Sequence, residues 1–457
     1  MTLTCFKAYD IRGRLGVDLD AGIAFRIGRA FARVLGARRM VLGRDCRASS
    51  AELADAVAAG LMAEGCTVLD LGLCGTEEVY FATDHLGADG GIEVTASHNP
   101  MDYNGMKMVR AGSAPVGQDT GLADMAALAA ADDFGAMGQG RRQAVDCRAA
   151  YVDRVIGFVD QRALRPLHVL VNAGNGTAGP TFDAIAARLQ ALGAPLQFTR
   201  LHHTPDGTFP NGIPNPLLPE NQPMTAQAVV AAGADLGVAW DGDFDRCFFF
   251  DHTGAFVPGE YVVGLLAEVF LAKEAGATIV HDPRVVLGTE AAIAVAGGHA
   301  VQARTGHAFL KAALRETGAV YGGEMSAHHY FRDFMACDSG MIPWLLVVEL
   351  MGRTGQSLAD VLAARRAAFP SSGEINFVVD DVAAAVARVT AVYADGAQID
   401  QLDGVSFRYA DWRFNLRASN TEPLLRLNVE SLGDAGLVAR KVAAISALIG
   451  GSRPGGH

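Results

Sequence analysis

Gly91-Ile92-Glu93-Val94-Thr95-Ala96-Ser97-His98-Asn99-Pro100 joins a strand to a reactive side chain. Ile92, Val94 and Ala96 alternate as a short strand, and the polar cluster Ser97-His98-Asn99-Pro100 ends it. In an open α/β sheet the carboxyl ends of strands face the ligand crevice, which would present Ser97 there with the imidazole of His98 beside it. Taken alone, the same residues read equally well as an ordinary Ser/Asn turn.

The surroundings extend the α/β reading. Residues 39–44 predict a strand, 52–64 an amphipathic helix, 67–71 a strand and 77–85 a helix, a βαβ repeat that implies a largely parallel sheet. Ahead of it, Tyr9-Asp10-Ile11-Arg12-Gly13 offers either an anion-reaching Arg12 or a surface turn. Behind it, Asn104-Gly105-Met106-Lys107 supplies a tight turn and a cation.

A second unit opens near Asp146 with a helix over 151–159 and a strand over 169–171. Gly174-Asn175-Gly176-Thr177-Ala178-Gly179 then matches G-x-G-x-x-G, but the next strand ends at Phe198-Thr199-Arg200 without the acidic residue an NAD site needs. An NADP site or a plain strand-to-helix turn both remain open, and the Pro-rich 204–223 reads as a long surface loop. The strand 236–240 runs into Asp241-Gly242-Asp243-Phe244-Asp245-Arg246, where alternate carboxylates converge on one point and call for a cation. Arg246 and His252 stand where an EF-hand needs Gly and Glu, and a donor set of hard oxygens suits Mg²⁺.

A third unit alternates helix and strand to a last strand at 319–321, then Gly323-Glu324-Met325-Ser326-Ala327-His328. If that loop is extended, Glu324, Ser326 and His328 point the same way and offer a carboxylate, a hydroxyl and an imidazole to a sugar. Pro370-Ser371-Ser372-Gly373 has the composition of a hinge before a final α+β segment. There Arg417-Ala418-Ser419-Asn420-Thr421-Glu422-Pro423, with Arg426 close behind, forms an anion cradle suited to phosphate.

Composition narrows the function classes. A length of 457 residues allows three or four domains. A formal charge of −12 argues against nucleic-acid or anionic-membrane partners, so an anionic ligand must meet a local cluster of cations. Seven Cys, an odd number without a CxxC pair, read as reduced thiols of a cytoplasmic protein. No basic-then-apolar leader is expected at the amino terminus, and the most apolar windows, 262–272 and 341–351, are too short for membrane spans.

Serine, acidic loop, sugar loop and phosphate cradle, in that order and over nearly the whole chain, resemble the α-D-phosphohexomutase family. Met325, where amino-sugar members usually carry Gln, together with the Tyr9–Gly13 and Tyr103–Lys107 motifs, looks most similar to its phosphomannomutase branch. The resemblance implies three similar α/β domains with mixed, mostly parallel sheets (1–145, 146–250, 251–369) and a C-terminal α+β domain (370–457) around a central cleft.

It further implies a phosphoserine at Ser97 holding Mg²⁺ with Asp241, Asp243 and Asp245, and transfer between mannose 1-phosphate and mannose 6-phosphate through a hexose 1,6-bisphosphate. Lys107, Arg12 and Arg246 would neutralise the transferring group, and His328 or else His98 would act as general base. Tyr9, Arg284, His307, Glu324, Ser326, His328, Arg417, Ser419, Asn420, Thr421 and Arg426 would bind substrate, Lys311 assisting. A monomer or weak homodimer is expected. A dual-specificity phosphomannomutase/phosphoglucomutase and a non-catalytic sugar-phosphate-binding protein are the alternatives.

Overall fold

The computed structural model describes residues 3–418 and 424–453, which form two compact units. The first comprises Met1–Val257, Leu314–Glu316 and His328–Ser357; the second comprises Pro258–Ala313, Thr317–Ala327 and Leu358–His457.

The first unit contains a six-stranded sheet ordered Ile11–Arg14, Tyr103–Arg110, Gly90–Val94, Arg39–Arg44, Thr67–Leu73, Arg141–Ala144. The last four strands are parallel, and the first two add antiparallel pairs, so the sheet is mixed. Helix Ala21–Leu35, which the sequence reading passed over, starts at Asp20, whose side chain accepts from the Ile23 amide, and stops at Gly36 with φ 60°. It crosses helix Ser50–Ala63 closely, because a Cβ on Gly28 would lie 2.4 Å from the Val57 carbonyl and one on Gly60 2.1 Å from the Phe25 carbonyl. Ile27, Phe31, Val57, Leu61, Leu42 and Ile92 are fully buried between the helices and this sheet, each contributing about 1.5–3 kcal/mol of burial.

A second sheet of the same unit is ordered Phe256–Val257, Cys247–Asp251, Leu236–Trp240, Leu167–Asn172, Leu196–Leu201, again parallel at one end and antiparallel at the other. The helix Gln222–Ala232 begins inside the region expected to be loop, with Pro in its first turn. The expected helix at 151–159 runs Arg148–Ile156.

In the second unit, His299–Gln302, Thr278–His281 and Tyr321–Gly323 are parallel. Ser371–Phe377, Leu425–Ser431, Trp412–Ala418, Val405–Arg408 and Gln398–Asp400 make an antiparallel sheet covered by helices Val382–Tyr393 and Ala435–Ile449. Phe407, Phe414, Leu416, Leu427, Val389 and Ile445 form its buried core. The stretch expected to be a hinge opens the strand Ser371–Phe377, which is bulged between Ser371 and Glu374 with Gly373 at φ 65°. Among the described residues no helix is long and apolar enough to cross a membrane.

Candidate functional site

Strand Gly90–Val94 ends two residues earlier than expected, because Ser97 adopts φ 49° and its amide donates to Thr95 Oγ1 at 2.8 Å. This left-handed turn directs the Ser97 hydroxyl to Asp241 Oδ2 at 2.6 Å, with His98 Nδ1 at 2.9 Å. The acidic loop follows strand Leu236–Trp240, and Gly242 lets it press against the serine turn: a Cβ there would lie 2.5 Å from the Ser97 carbonyl oxygen. Behind it, Thr177 of the glycine-rich turn donates its amide (3.0 Å) and its hydroxyl (3.1 Å) to the Gly242 carbonyl. That turn therefore buttresses the acidic loop, and one of the amides a dinucleotide phosphate would use is already bonded.

Asp241, Asp243 and Asp245 are all buried, and one oxygen from each lies within 4.8 Å of the others. Lys107, from the antiparallel strand Tyr103–Arg110, bonds Asp243 Oδ2 at 2.7 Å and also Asp245 Oδ2. Burial alone would lower the lysine pKa, but Asp243, Asp245 and Asp241 outweigh it and raise it. Burial likewise opposes ionisation of Asp243, yet Lys107 holds that carboxyl below its ordinary range, whereas burial and Asp243 together push Asp245 up to about 6. Asp243 Oδ1 and Asp245 Oδ1 are buried and have no hydrogen-bond partner among the described residues. Three clustered carboxylates, two of them with a buried oxygen unbonded among the described residues, fit a hard divalent cation.

Burial, then Arg246 with its Nη2 at 3.0 Å, pushes the His98 pKa well down, so this imidazole is neutral. For His328, burial is outweighed by Asp245, 3.9 Å away, and by Asp338, whose Oδ2 lies 3.0 Å from Nδ1; its pKa is raised. Arg12 pairs with Asp10 at 2.8 Å and lies close enough to feel the charge of Asp243; Tyr9 is half-buried beside it.

The remaining expected residues belong to the second unit. Glu324 is buried and accepts from the Gly306 amide at 2.8 Å, next to His307 at the start of helix His307–Thr317. Ser326 is half-buried and Lys311 buried. The sugar loop is not extended: the Ala327 amide bonds back to the Glu324 carbonyl at 3.1 Å and Ala327 has φ 68°, so the expected alternation of Glu324, Ser326 and His328 fails. Arg284, Arg417 and Arg426 lie around Glu374, at 3.2, 3.5 and 3.3 Å. Ser419, Asn420 and Thr421 lie outside the described residues.

Sequence reasoning missed the residues that hold this machinery in place. Arg47, buried, donates to the carbonyls of Pro100 (2.9 Å), Tyr103 (3.2 Å), Ser97 (3.0 Å) and Asn99 (2.6 Å), wrapping the serine turn. Thr76, at the start of helix Thr76–His85, donates to Asp243 Oδ2 at 2.6 Å. Glu77 ties that helix to the amides of Gly340 (2.5 Å) and Met341 (3.4 Å), just after Asp338. Only the close spacing of Asp45, Arg47 and Ser50 ahead of a helix hinted at any of these.

A serine set against a carboxylate cluster on two mixed α/β sheets, with an arginine-rich α+β sheet in the second unit, is the framework of a phosphoryl-transferring hexose mutase. Family models bear this out in succession: phosphoglucomutase/phosphomannomutase alpha/beta/alpha domain I matches residues 4–134, domain II 149–254, domain III 258–369 and the C-terminal domain 374–448. The chain belongs to the phosphoglucomutase/phosphomannomutase family. It is 58% identical to the phosphomannomutase of Salmonella typhimurium over 98% of this chain and 99% of that one. It is 55% identical to a Xanthomonas campestris protein named "Phosphohexose mutases", over 99% of this chain and 100% of that one. A phosphoglucomutase/phosphomannomutase family protein of known structure from Burkholderia thailandensis superposes with a TM-score of 0.87 at 33% identity, covering 99% of this chain and 100% of that one.

Proposed function

We propose that the chain interconverts mannose 1-phosphate and mannose 6-phosphate, carrying the phosphoryl group on Ser97 Oγ. The observation that carries this reading is the Ser97 hydroxyl held 2.6 Å from Asp241 at the mouth of a buried carboxylate cluster, in a chain aligned end to end with a protein named phosphomannomutase. Phospho-Ser97 gives its phosphoryl group to the free hydroxyl of a hexose monophosphate: the serine O–P bond breaks, a sugar O–P bond forms, and the hydroxyl proton passes to a base. The resulting hexose 1,6-bisphosphate turns over and returns its other phosphate to Ser97 while the base returns the proton.

His328 is the base we favour, because Asp338 orients its ring. His98, neutral and bonded to Ser97, is the second candidate. Asp241, Asp243, Asp245 and the serine oxygen would hold Mg²⁺, which supplies positive charge against the transferring group. Lys107 and Arg246, and Arg12 near Asp243, add cationic charge around it. In the second unit, Glu324, Ser326 and His307 would bind sugar hydroxyls, and Arg284, Arg417 and Arg426 the phosphate that is not reacting, together with Ser419, Asn420 and Thr421. In this reading the chain divides near 145, 250 and 369, so that each segment carries one of the four loops. The free cysteines support a reducing cytoplasm. The expected state is still a monomer or weak homodimer.

Peptide mass analysis of the purified enzyme tests the reading. Phosphate on Ser97 after incubation with a hexose 1,6-bisphosphate and Mg²⁺, lost on adding mannose 6-phosphate, is the expected result; an unmodified Ser97 throughout refutes it. The Xanthomonas relative's plural name favours one second reading, a dual-specificity enzyme that also accepts glucose phosphates.

A further inference from the structure

Around Arg284, Arg417 and Arg426 the described residues place four carboxylates: Asp282, Glu324, Asp403 and Glu374. Three of them are fixed by backbone amides. Asp282 accepts from the amides of Arg284 (2.8 Å) and Met325 (3.2 Å), Glu324 from Gly306 (2.8 Å) and Asp403 from Thr305 (3.2 Å). Glu374 differs. Among the described residues its carboxylate meets guanidiniums alone, Oε2 facing Arg284 and Arg417 and Oε1 facing Arg426. Its side chain is also the most exposed of the four, at 19% against 10% or less.

We propose that Glu374 is a built-in stand-in for substrate phosphate, neutralising the three guanidiniums in the empty enzyme and swinging out to water when a phosphate group enters. Arg284 and Arg417 are buried and Arg426 half-buried, and without an anion between them these three guanidiniums would repel one another. Of these four carboxylates Glu374 alone pairs with all three guanidiniums, Asp282 and Glu324 meeting Arg284 and Asp403 meeting Arg417, so Glu374 holds the point on which the three cations converge and which a phosphate would have to take. The stand-in is also an imperfect one. Arg417 is buried, yet its Nε has no hydrogen-bond partner among the described residues, a position a phosphate with more acceptor oxygens can fill. Glu374 follows Gly373, at φ 65°, on a strand bulged at that point, and a bulge re-aims a side chain without unpairing the strand beyond it.

The inference rests on Arg417 and its neighbours being the phosphate grip, and the experiment separates the two. Inorganic phosphate is titrated calorimetrically into the full-length, Mg²⁺-loaded enzyme, and KM for mannose 1-phosphate is measured, for wild type, Glu374→Gln and Arg417→Lys. Glu374→Gln should bind phosphate more tightly by on the order of tenfold, with KM falling in the same direction. Phosphate binding by Glu374→Gln that is unchanged or weaker, while Arg417→Lys weakens it, overturns the stand-in and leaves the grip intact. Arg417→Lys with unaltered phosphate binding and KM overturns both. Should Glu374→Gln not fold, Glu374→Asp, which keeps the charge but draws it back from the guanidiniums, should tighten phosphate binding by a smaller factor; no tightening refutes the proposal.

Discussion

Arg47→Lys isolates what holds Ser97 in its left-handed turn. The guanidinium donates to four carbonyls, those of Ser97, Asn99, Pro100 and Tyr103, at 2.6–3.2 Å, and stacks over Phe209 with 5.5 Å to the ring centroid. A lysine ammonium keeps the charge, but its tetrahedral donors reach only about two of those carbonyls. Each bond from a charged donor is worth about 1.5–3 kcal/mol, so losing two costs about 3 kcal/mol or more. If that cost falls on the placement of Ser97 Oγ in the transition state, kcat/KM drops on the order of 10²-fold. A coupled assay of mannose 1-phosphate turnover measures this, and mass analysis reads the fraction of phosphorylated Ser97 alongside Tm. A lower Tm with kcat/KM and Ser97 phosphorylation within about twofold of wild type refutes the clamp and makes Arg47 a stability residue only.

Three further outcomes are expected. Gly242→Ala puts a methyl 2.5 Å from the Ser97 carbonyl oxygen, so the serine and acidic loops must part and kcat should fall on the order of 10²-fold; unchanged kcat would show that the two loops need not touch. Asp243→Asn removes the carboxylate shared by Lys107 and Thr76, and titration with Mn²⁺ should show metal affinity weakened by about two orders of magnitude, with activity lost in parallel; retained affinity would move the metal elsewhere. Burial pushes the Glu77 carboxyl up to about 8 despite its bonds from Tyr151, Ser339 and two amides, so the folded chain holds a proton that the unfolded chain releases above its ordinary carboxyl pKa. Stability should therefore fall as pH rises from about 5 to about 8, by up to about 1.4 kcal/mol per pH unit, and level off above. Glu77→Gln should remove that slope, whatever its own Tm; parallel pH profiles for the two proteins would show that Glu77 is ionised when folded.

What was legible in the sequence was chemistry concentrated in short strings. Ser97 with His98, the alternating Asp241, Asp243 and Asp245, and the arginines flanking residues 419–423 each concentrate reactive or charged groups within a few consecutive residues beside a strand. Such loops can be read because a strand's polar terminus and a Gly or Pro beside it are local signals. The supports were not legible. Arg47 is 50 residues from Ser97, Thr76 is 167 from Asp243, and Arg284 is 90 from Glu374, and periodicity says nothing about a polar pair at such separations. The extended sugar loop failed for a related reason: whether Ala327 takes φ 68° depends on what packs around it, which no three-residue pattern states.

The order of four chemically loaded loops along the chain was enough by itself to carry the resemblance to the phosphohexomutase family and the expectation of α/β units followed by an α+β segment, because each loop's reactive groups lie within a few consecutive residues. Tertiary structure alone decided which of those groups are charged and which way they point. The left-handed turn at Ser97, the neutral ring of His98, the opposite pKa shifts of Asp243 and Asp245, and the Glu374 carboxylate among three guanidiniums all arise from burial and from charges brought together by folding. A Coulomb term falls off with distance in space, and the sequence records only distance along the chain.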